Sequence, residues 1–205
     1  IQPVMLDDFA NGRVPDLETS KRYGLDISLS EPVSLVGRTD LSEEEAEAVM
    51  TSLRRLRPLQ RMFRTVLLRS KSEAAAGFTP TRAKRQIADK GTPISWAYVG
   101  LADSSYMLYP GVAAVPDGFD PLERPFYKLI AEERTTQHGP RWGAPTIDPF
   151  GQGLVLSCVQ PLYTETEELL GVAGVDVTFD FLIDELMTIE GLEGVDHYLL
   201  LDKFG

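Results

Sequence analysis

Two side chains in this sequence have the chemistry to hold a small charged molecule. Arg124 lies in Asp120-Pro121-Leu122-Glu123-Arg124-Pro125-Phe126-Tyr127. Its guanidinium is always charged and presents five donors in a planar fork, a shape that fits a carboxylate. Phe126 and Tyr127 follow closely enough to wall a pocket, and Tyr127 adds a hydroxyl. The plainer alternative is a surface arginine paired with Glu123 beside ordinary packing aromatics. Asp176 lies in Gly171-Val172-Ala173-Gly174-Val175-Asp176-Val177, where every neighbour is apolar or glycine. A carboxylate there is expected on a buried sheet surface, where leaving it ionised and unpaired is costly. A ligand ammonium, Arg124 or a backbone turn could each be its partner. Gly171, Ala173 and Gly174 are small enough to let a ligand or another backbone come close.

Weaker candidates surround this pair. Tyr106 and Tyr109 are expected on one side of a strand. Trp142 and Asp148 sit in a turn-rich loop with Pro145, Pro149, Gly151 and Gly153, which could close one wall. Taken singly, each of these aromatics also suits a core or rim position. Asp180, Asp184 and Glu185 form an acidic helix face of the kind that is solvated. Signatures of catalysis are missing. The two histidines, His138 and His197, have no metal-ligand spacing to Cys158 or to each other. There is no nucleophile elbow, phosphate-cradling loop or dinucleotide fingerprint. A hydrolase using Asp148 or Asp176 has no local pattern behind it. No pattern asks for a cofactor.

The elements that would position these residues are legible in outline. Leu25 to Leu29 alternates apolar and polar, as a short strand does; the rest of residues 1–40 is expected to be extended or irregular. Ser42 followed by Glu45 is a capping box, with Glu43 and Glu44 at the positive end of a helix. Val49, Leu53, Leu56, Leu59, Phe63, Val66 and Leu67 continue that helix as one apolar stripe, and Pro58 should kink or divide it. A further helix is expected over Thr81–Asp89. Ile94–Gly100 and Ser105–Tyr109 predict a hairpin, and Pro125–Glu133 a short helix with proline in its first turn. Leu154–Val159 and Leu169–Thr178 predict two strands joined by the turn Thr164 to Glu168. A helix over Phe179–Leu186 and a strand over Tyr198–Leu201 complete an α+β arrangement.

Bulk properties narrow the partners. The chain has 205 residues, enough for a self-sufficient core without disulfide or metal. A net charge of −11 argues against nucleic acid as a partner. Residues 41–90 carry eleven Lys/Arg against six Asp/Glu, but on a helical pattern, so a solvated face explains them. Cys158 is the single cysteine, so no intrachain disulfide forms. No run reaches eighteen apolar residues and no signal peptide opens the sequence. The start at Ile1-Gln2-Pro3 without Met suggests an excised piece of a longer, membrane-anchored protein.

Four motifs in order resemble the Cache domain, an extracellular PAS-like sensor module, in its double-Cache form. They are Tyr109-Pro110-Gly111, Asp120-Pro121 with Arg124-Pro125-Phe126-Tyr127, Pro145 with Asp148, and Gly171 to Val177. The resemblance spans about residues 92–187, with the Ser42 helix where the family's long N-terminal helix belongs. It implies an antiparallel sheet flanked by helices, and a ligand held between sheet and loops. It divides the chain into an extended segment (1–40), a ligand-binding domain (41–190), and a linker with the start of a second, membrane-proximal half (191–205). In amino-acid-sensing members an arginine followed by aromatics holds the ligand carboxylate and a late-strand aspartate holds its ammonium. Those roles fall on Arg124, Phe126, Tyr127 and Asp176. Phe119, Phe126 and Thr146 stand where those members carry tyrosine, tryptophan and tyrosine. The ligand implied is an amino acid, an amine or a carboxylate. The resemblance places the domain outside the cytoplasm, in the periplasm or at the cell surface, as a non-catalytic part of a receptor, with two copies pairing through the long helix. The other reading is a ligand-independent interaction module, like the Cache regions of calcium-channel alpha-2-delta subunits, which are rich in disulfides.

Overall fold

The computed structural model describes residues 4–5, 16–38, 40–70, 80–132 and 138–183. In chain order the strands are β1 (Val4–Met5), β2 (Leu17–Ser20), β3 (Leu25–Ser28) and β4 (Val33–Val36). Three helices follow: α1 (Glu43–Leu56), α2 (Leu59–Ser70) and α3 (Pro80–Lys90). Then come β5 (Ile94–Leu101), β6 (Ser105–Tyr109), β7 (Gly111–Val112), a 3-10 turn (Pro121–Glu123) and α4 (Pro125–Ala131). The series closes with β8 (Arg141–Trp142), β9 (Thr146–Ile147), β10 (Leu154–Tyr163), β11 (Leu169–Thr178) and α5 (Phe179–Phe181).

The result is α+β. The main sheet runs β1-β4-β6-β5-β11-β10-β8, with β9 also on β10, and β2-β3-β7 form a smaller sheet. Every pairing is antiparallel. Strands β3 and β4 tie the segment before residue 40 into both sheets, where the sequence had shown one short strand. The strand expected at Tyr198–Leu201, the last turn (184–186) of the helix expected over Phe179–Leu186, and residues 191–205 lie outside the described residues.

Ser42 caps α1 as its spacing predicts: the Glu45 N–H donates to its Oγ, and the Ser42 N–H donates to the Glu45 carboxylate at 2.8 Å. Of the two outcomes expected at Pro58, division is the one found: two helices separated at Arg57 and Pro58, because proline lacks the N–H and crowds the preceding turn. Val49, Leu53, Leu56 and Leu67 are buried against one face of the main sheet, beside Val99, Met107 and Tyr109. Val66 is an exception to the stripe and remains exposed.

The opposite face holds the larger core. Trp96, Tyr98, Tyr106 and Leu108 pack there with Ile27 and Val112 of the small sheet, Ile87 of α3, and Phe126 and Ile130 of α4. Tyr106 and Tyr109 therefore do not share a side. Their spacing of three is odd, and a strand repeats every two residues, so one ring enters each face. Tyr109 is wholly buried on the helix-covered face, and its hydroxyl donates to the Leu29 carbonyl at 2.8 Å.

Candidate functional site

Arg124 is positioned by turn chemistry on both sides. The Asp120 carboxylate accepts from the Leu122 N–H at 2.9 Å and starts the 3-10 turn, and Pro125 then opens α4. A residue before proline is pushed out of the helical region, so Arg124 stays extended between the two turns (φ −77°, ψ 146°). Glu123 pairs with Lys128 at 2.6 Å, which removes the bland explanation for Arg124. Among the described residues Arg124 has no carboxylate partner in an ion pair. Its guanidinium donates to the Ile147 carbonyl at 3.4 Å.

Asp176 comes from the sheet. Trp96, Asp176 and Ser157 are cross-strand partners on β5, β11 and β10, so their side chains stand in a row on one face. Tyr98, one step along β5, lies opposite Gly174, where a Cβ would come within 2.6 Å of its ring. The missing side chain lets the ring lie across β11 and its hydroxyl donate to Asp176 Oδ1 at 2.8 Å. The smallness of Gly174 thus serves the protein's own tyrosine, and that of Gly171 serves the backbone of Gly100 and Leu101. Asp176 is 8% exposed. Burial pushes its carboxyl up to about 6, against the opposing pull of the Ser157 and Tyr98 hydroxyls; nearby Asp148 raises it and Arg124 lowers it. The Tyr98 hydroxyl, an internal donor, is therefore its hydrogen-bond partner.

Asp148 is also buried, with 4% exposed. It accepts from the Trp96 indole N–H at 3.1 Å and the Gln152 N–H at 2.9 Å. Burial raises its carboxyl, opposed by those two donors, the Phe150 N–H and Arg124. The turn it anchors closes between the Asp148 N–H and the Gly153 carbonyl at 2.8 Å, with Gly151 and Gly153 at positive φ (86° and 75°). Gln152 then donates to the Tyr23 carbonyl at 2.9 Å, fastening the turn to the small sheet.

These residues surround one hollow with about 360 Å³ of empty space, counting its open mouth. Arg124, Phe126, Tyr106, Thr146, Asp148 and Asp176 line it, six of the nine residues singled out in the sequence. Tyr127, Tyr109 and Trp142 lie outside its lining. Tyr127 packs in the core on α4, while Trp142, on edge strand β8, is 60% exposed. Trp96, Phe119, Phe150 and Ser157 also line the hollow. Trp96 was traceable by its even spacing from Tyr98. Ser157 was not, because the register slips by one at Leu162/Tyr163; symmetry about the turn alone would have set Leu156 opposite Asp176. No group of three or more potential metal-binding side chains occurs among the described residues. No described helix is long and apolar enough to cross a membrane.

No protein-family profile matches the chain. A methyl-accepting chemotaxis protein of Pseudomonas putida, McpA, is 32% identical over 112 residues, which are 54% of this chain and 16% of that protein. The ligand-binding domain of the Pseudomonas fluorescens chemoreceptor CtaA, solved with L-valine, is 30% identical with a TM-score of 0.37, over 44% of this chain and 38% of that one. The corresponding domain of the Pseudomonas aeruginosa amino-acid chemoreceptor PctC, solved with GABA, is 20% identical with a TM-score of 0.39, over 62% and 59%. The chain therefore spans well under two thirds of each of these relatives.

Proposed function

We infer that this chain, whose landmark residues resemble the Cache-type sensor domain, is the extracytoplasmic ligand-binding part of a membrane-anchored receptor. It takes up a small molecule carrying both a carboxylate and an ammonium. The observation that carries this reading is that Arg124 and Asp176, fifty-two positions apart in sequence, line the same ring-walled hollow. Among the described residues Arg124 has no carboxylate partner in an ion pair, and it suits the ligand's carboxylate. Asp176 keeps lone pairs beyond those used by Tyr98 and Ser157, and suits its ammonium. The matched relative is named as a chemotaxis protein, and two relatives were solved with valine and GABA, which fits a ligand of this class. Residues 41–190 form the binding unit in this reading, and residues 191–205 begin a second, membrane-proximal half.

Ligand binding would favour one of two arrangements of the domain, and α1 and α2 would carry that bias toward the membrane. Pairing of two copies along these helices is part of the proposal, and sedimentation with and without ligand measures it. Thermal-shift screening of amino acids and amines tests the binding itself. A stabilising hit that is lost in both Arg124→Ala and Asp176→Ala supports the reading. A chain that responds to none of them does not bind ligands of this class. The ligand-independent alternative draws no specific support, since its relatives are rich in disulfides and this chain has one cysteine.

A further inference from the structure

Three buried tyrosines donate to internal acceptors. Tyr23, Tyr98 and Tyr109, each at most 4% exposed, give their hydroxyl protons to the Ser95 carbonyl, Asp176 Oδ1 and the Leu29 carbonyl, all at 2.8 Å. Tyr106 differs. It is 2% exposed and lines the hollow, yet its hydroxyl has no hydrogen-bond partner among the described residues. Its ring is fixed by Phe119, Tyr98 and Phe126, whose centroids lie 5.3, 5.9 and 6.0 Å away, so the hydroxyl cannot turn to an acceptor elsewhere. A buried hydroxyl left without a partner is costly and calls for an explanation.

The charged groups of the hollow supply one. Burial pushes the Tyr106 hydroxyl well above its usual range, and the Asp176 and Asp148 carboxylates push it further, with Arg124 opposing. It therefore stays protonated, and its oxygen can accept as well as donate. Both hydrogen bonds to Asp148 fall on Oδ2, and that to Asp176 falls on Oδ1. Asp148 Oδ1, Asp176 Oδ2 and the Tyr106 oxygen are thus three oxygens left to accept at the hollow. A primary ammonium has three N–H groups to place. Replacing one by a methyl leaves two, and the carboxylates, being charged, hold those more strongly than a phenol does. The methyl then falls against the Tyr106 oxygen, which finds no donor there.

Resting on the sensor reading above, we propose that Tyr106 sets the specificity of the hollow: its hydroxyl is the third acceptor for the ligand's ammonium, beside Asp176 and Asp148, and selects primary over N-methylated ammonium.

Calorimetric titration of the full chain with two pairs of probes tests it: glycine with sarcosine, and L-valine with N-methyl-L-valine. The unmethylated member of a pair is expected to bind about tenfold or more tightly, the scale of one hydrogen bond to a charged group. Tyr106→Phe should weaken that member about tenfold and leave its N-methyl partner nearly unchanged. Thermal unfolding without ligand adds a readout that a structural role would move. Tyr106→Phe should unfold no lower than the native chain, since no internal hydrogen bond is lost, whereas Tyr98→Phe should unfold lower. Equal or tighter binding of the N-methyl member overturns the role of Tyr106 while leaving the sensor reading intact. Tyr106→Phe weakening both members equally, or neither, does the same. A lowered unfolding temperature for Tyr106→Phe also overturns it, because the hydroxyl would then have an internal partner. Binding of none of the four probes by the native chain removes both the role and the sensor reading on which it rests.

Discussion

The two faces of the main sheet differ in their cores, the one opposite α1 and α2 being larger and richer in rings, and they treat polar groups in opposite ways. On the face covered by α1 and α2, Val49, Leu53, Leu56 and Leu67 meet Val99, Leu101 and Met107, and the main polar atom, the Tyr109 hydroxyl, is used up on the Leu29 carbonyl. On the other face two carboxylates are buried among rings and held by the Trp96 indole, the Tyr98 hydroxyl and the Gln152 N–H. A buried carboxylate contributes little to folding and costs much if a donor is lost. One face is built for stability; the other stores charge around a hollow. A covered apolar face lets the sheet tolerate that expense.

The comparison can be broken most severely on the stable side. Leu53→Ala removes a fully buried side chain beneath α1 and should cost about 2–5 kcal/mol in denaturant unfolding. It should leave ligand affinity unchanged under conditions where the variant is folded. A loss of affinity equal to that of a hollow variant would mean the faces are not separate.

Gly174→Ala tests how closely the charged face is fitted. The new Cβ would meet the Tyr98 ring carbons at 2.6–2.7 Å, so the ring must move away from Asp176. A loss of about 1–3 kcal/mol is expected, with weakened ligand binding. Binding at full strength would show that the Tyr98–Asp176 hydrogen bond is dispensable.

Asp176 gives the face a pH signature. Its carboxyl is held at about 6 in the folded chain, against an ordinary 3.8. Between these values the folded form keeps a proton that the unfolded form has lost. Stability from this group is therefore greatest below about 4, falls as pH rises through about 6, and is level above that. Asp176→Asn should flatten this part of the stability–pH curve. In the native chain, affinity for a cationic ligand should rise with pH through the same window, because the ligand favours the carboxylate. An affinity independent of pH between 4 and 7 would separate Asp176 from the ligand.

The smallest effect is expected at the sheet edge. Trp142 is 60% exposed on β8 and lies outside the hollow. Trp142→Ala should change stability by no more than about 0.5 kcal/mol and leave binding unaltered. A larger change in affinity would extend the site to the edge strands.

Much of the fold was legible because its signals are local. The Ser42–Glu45 cap, the break at Pro58, the turn between β5 and β6 and the Pro125 start of α4 each depend on a few neighbouring residues. The short strands β2, β4, β8 and β9 were not legible. They are two to four residues long, too short for alternation to show; β4 depends on pairing with the distant β6, while β2 and β9 are arms of hairpins with β3 and β10. For the site, residue chemistry marked Arg124, Asp176 and Asp148, since an always-charged fork and an acid in an apolar strand carry their own signal. Tyr109 and Trp142 were misplaced because an aromatic ring suits a core, a rim or a pocket equally well.

By itself, the sequence determined which groups would be expensive to bury and where the chain must turn, because both follow from covalent structure and nearest neighbours. Only the tertiary structure decided which of those groups meet. Side-chain facing in a strand has a period of two, so a single slip at Leu162/Tyr163 sets Ser157, not Leu156, against Asp176. That one-residue parity, together with the space left at Gly174 for Tyr98, is set by pairing across the whole sheet, and no local stretch of sequence contains it.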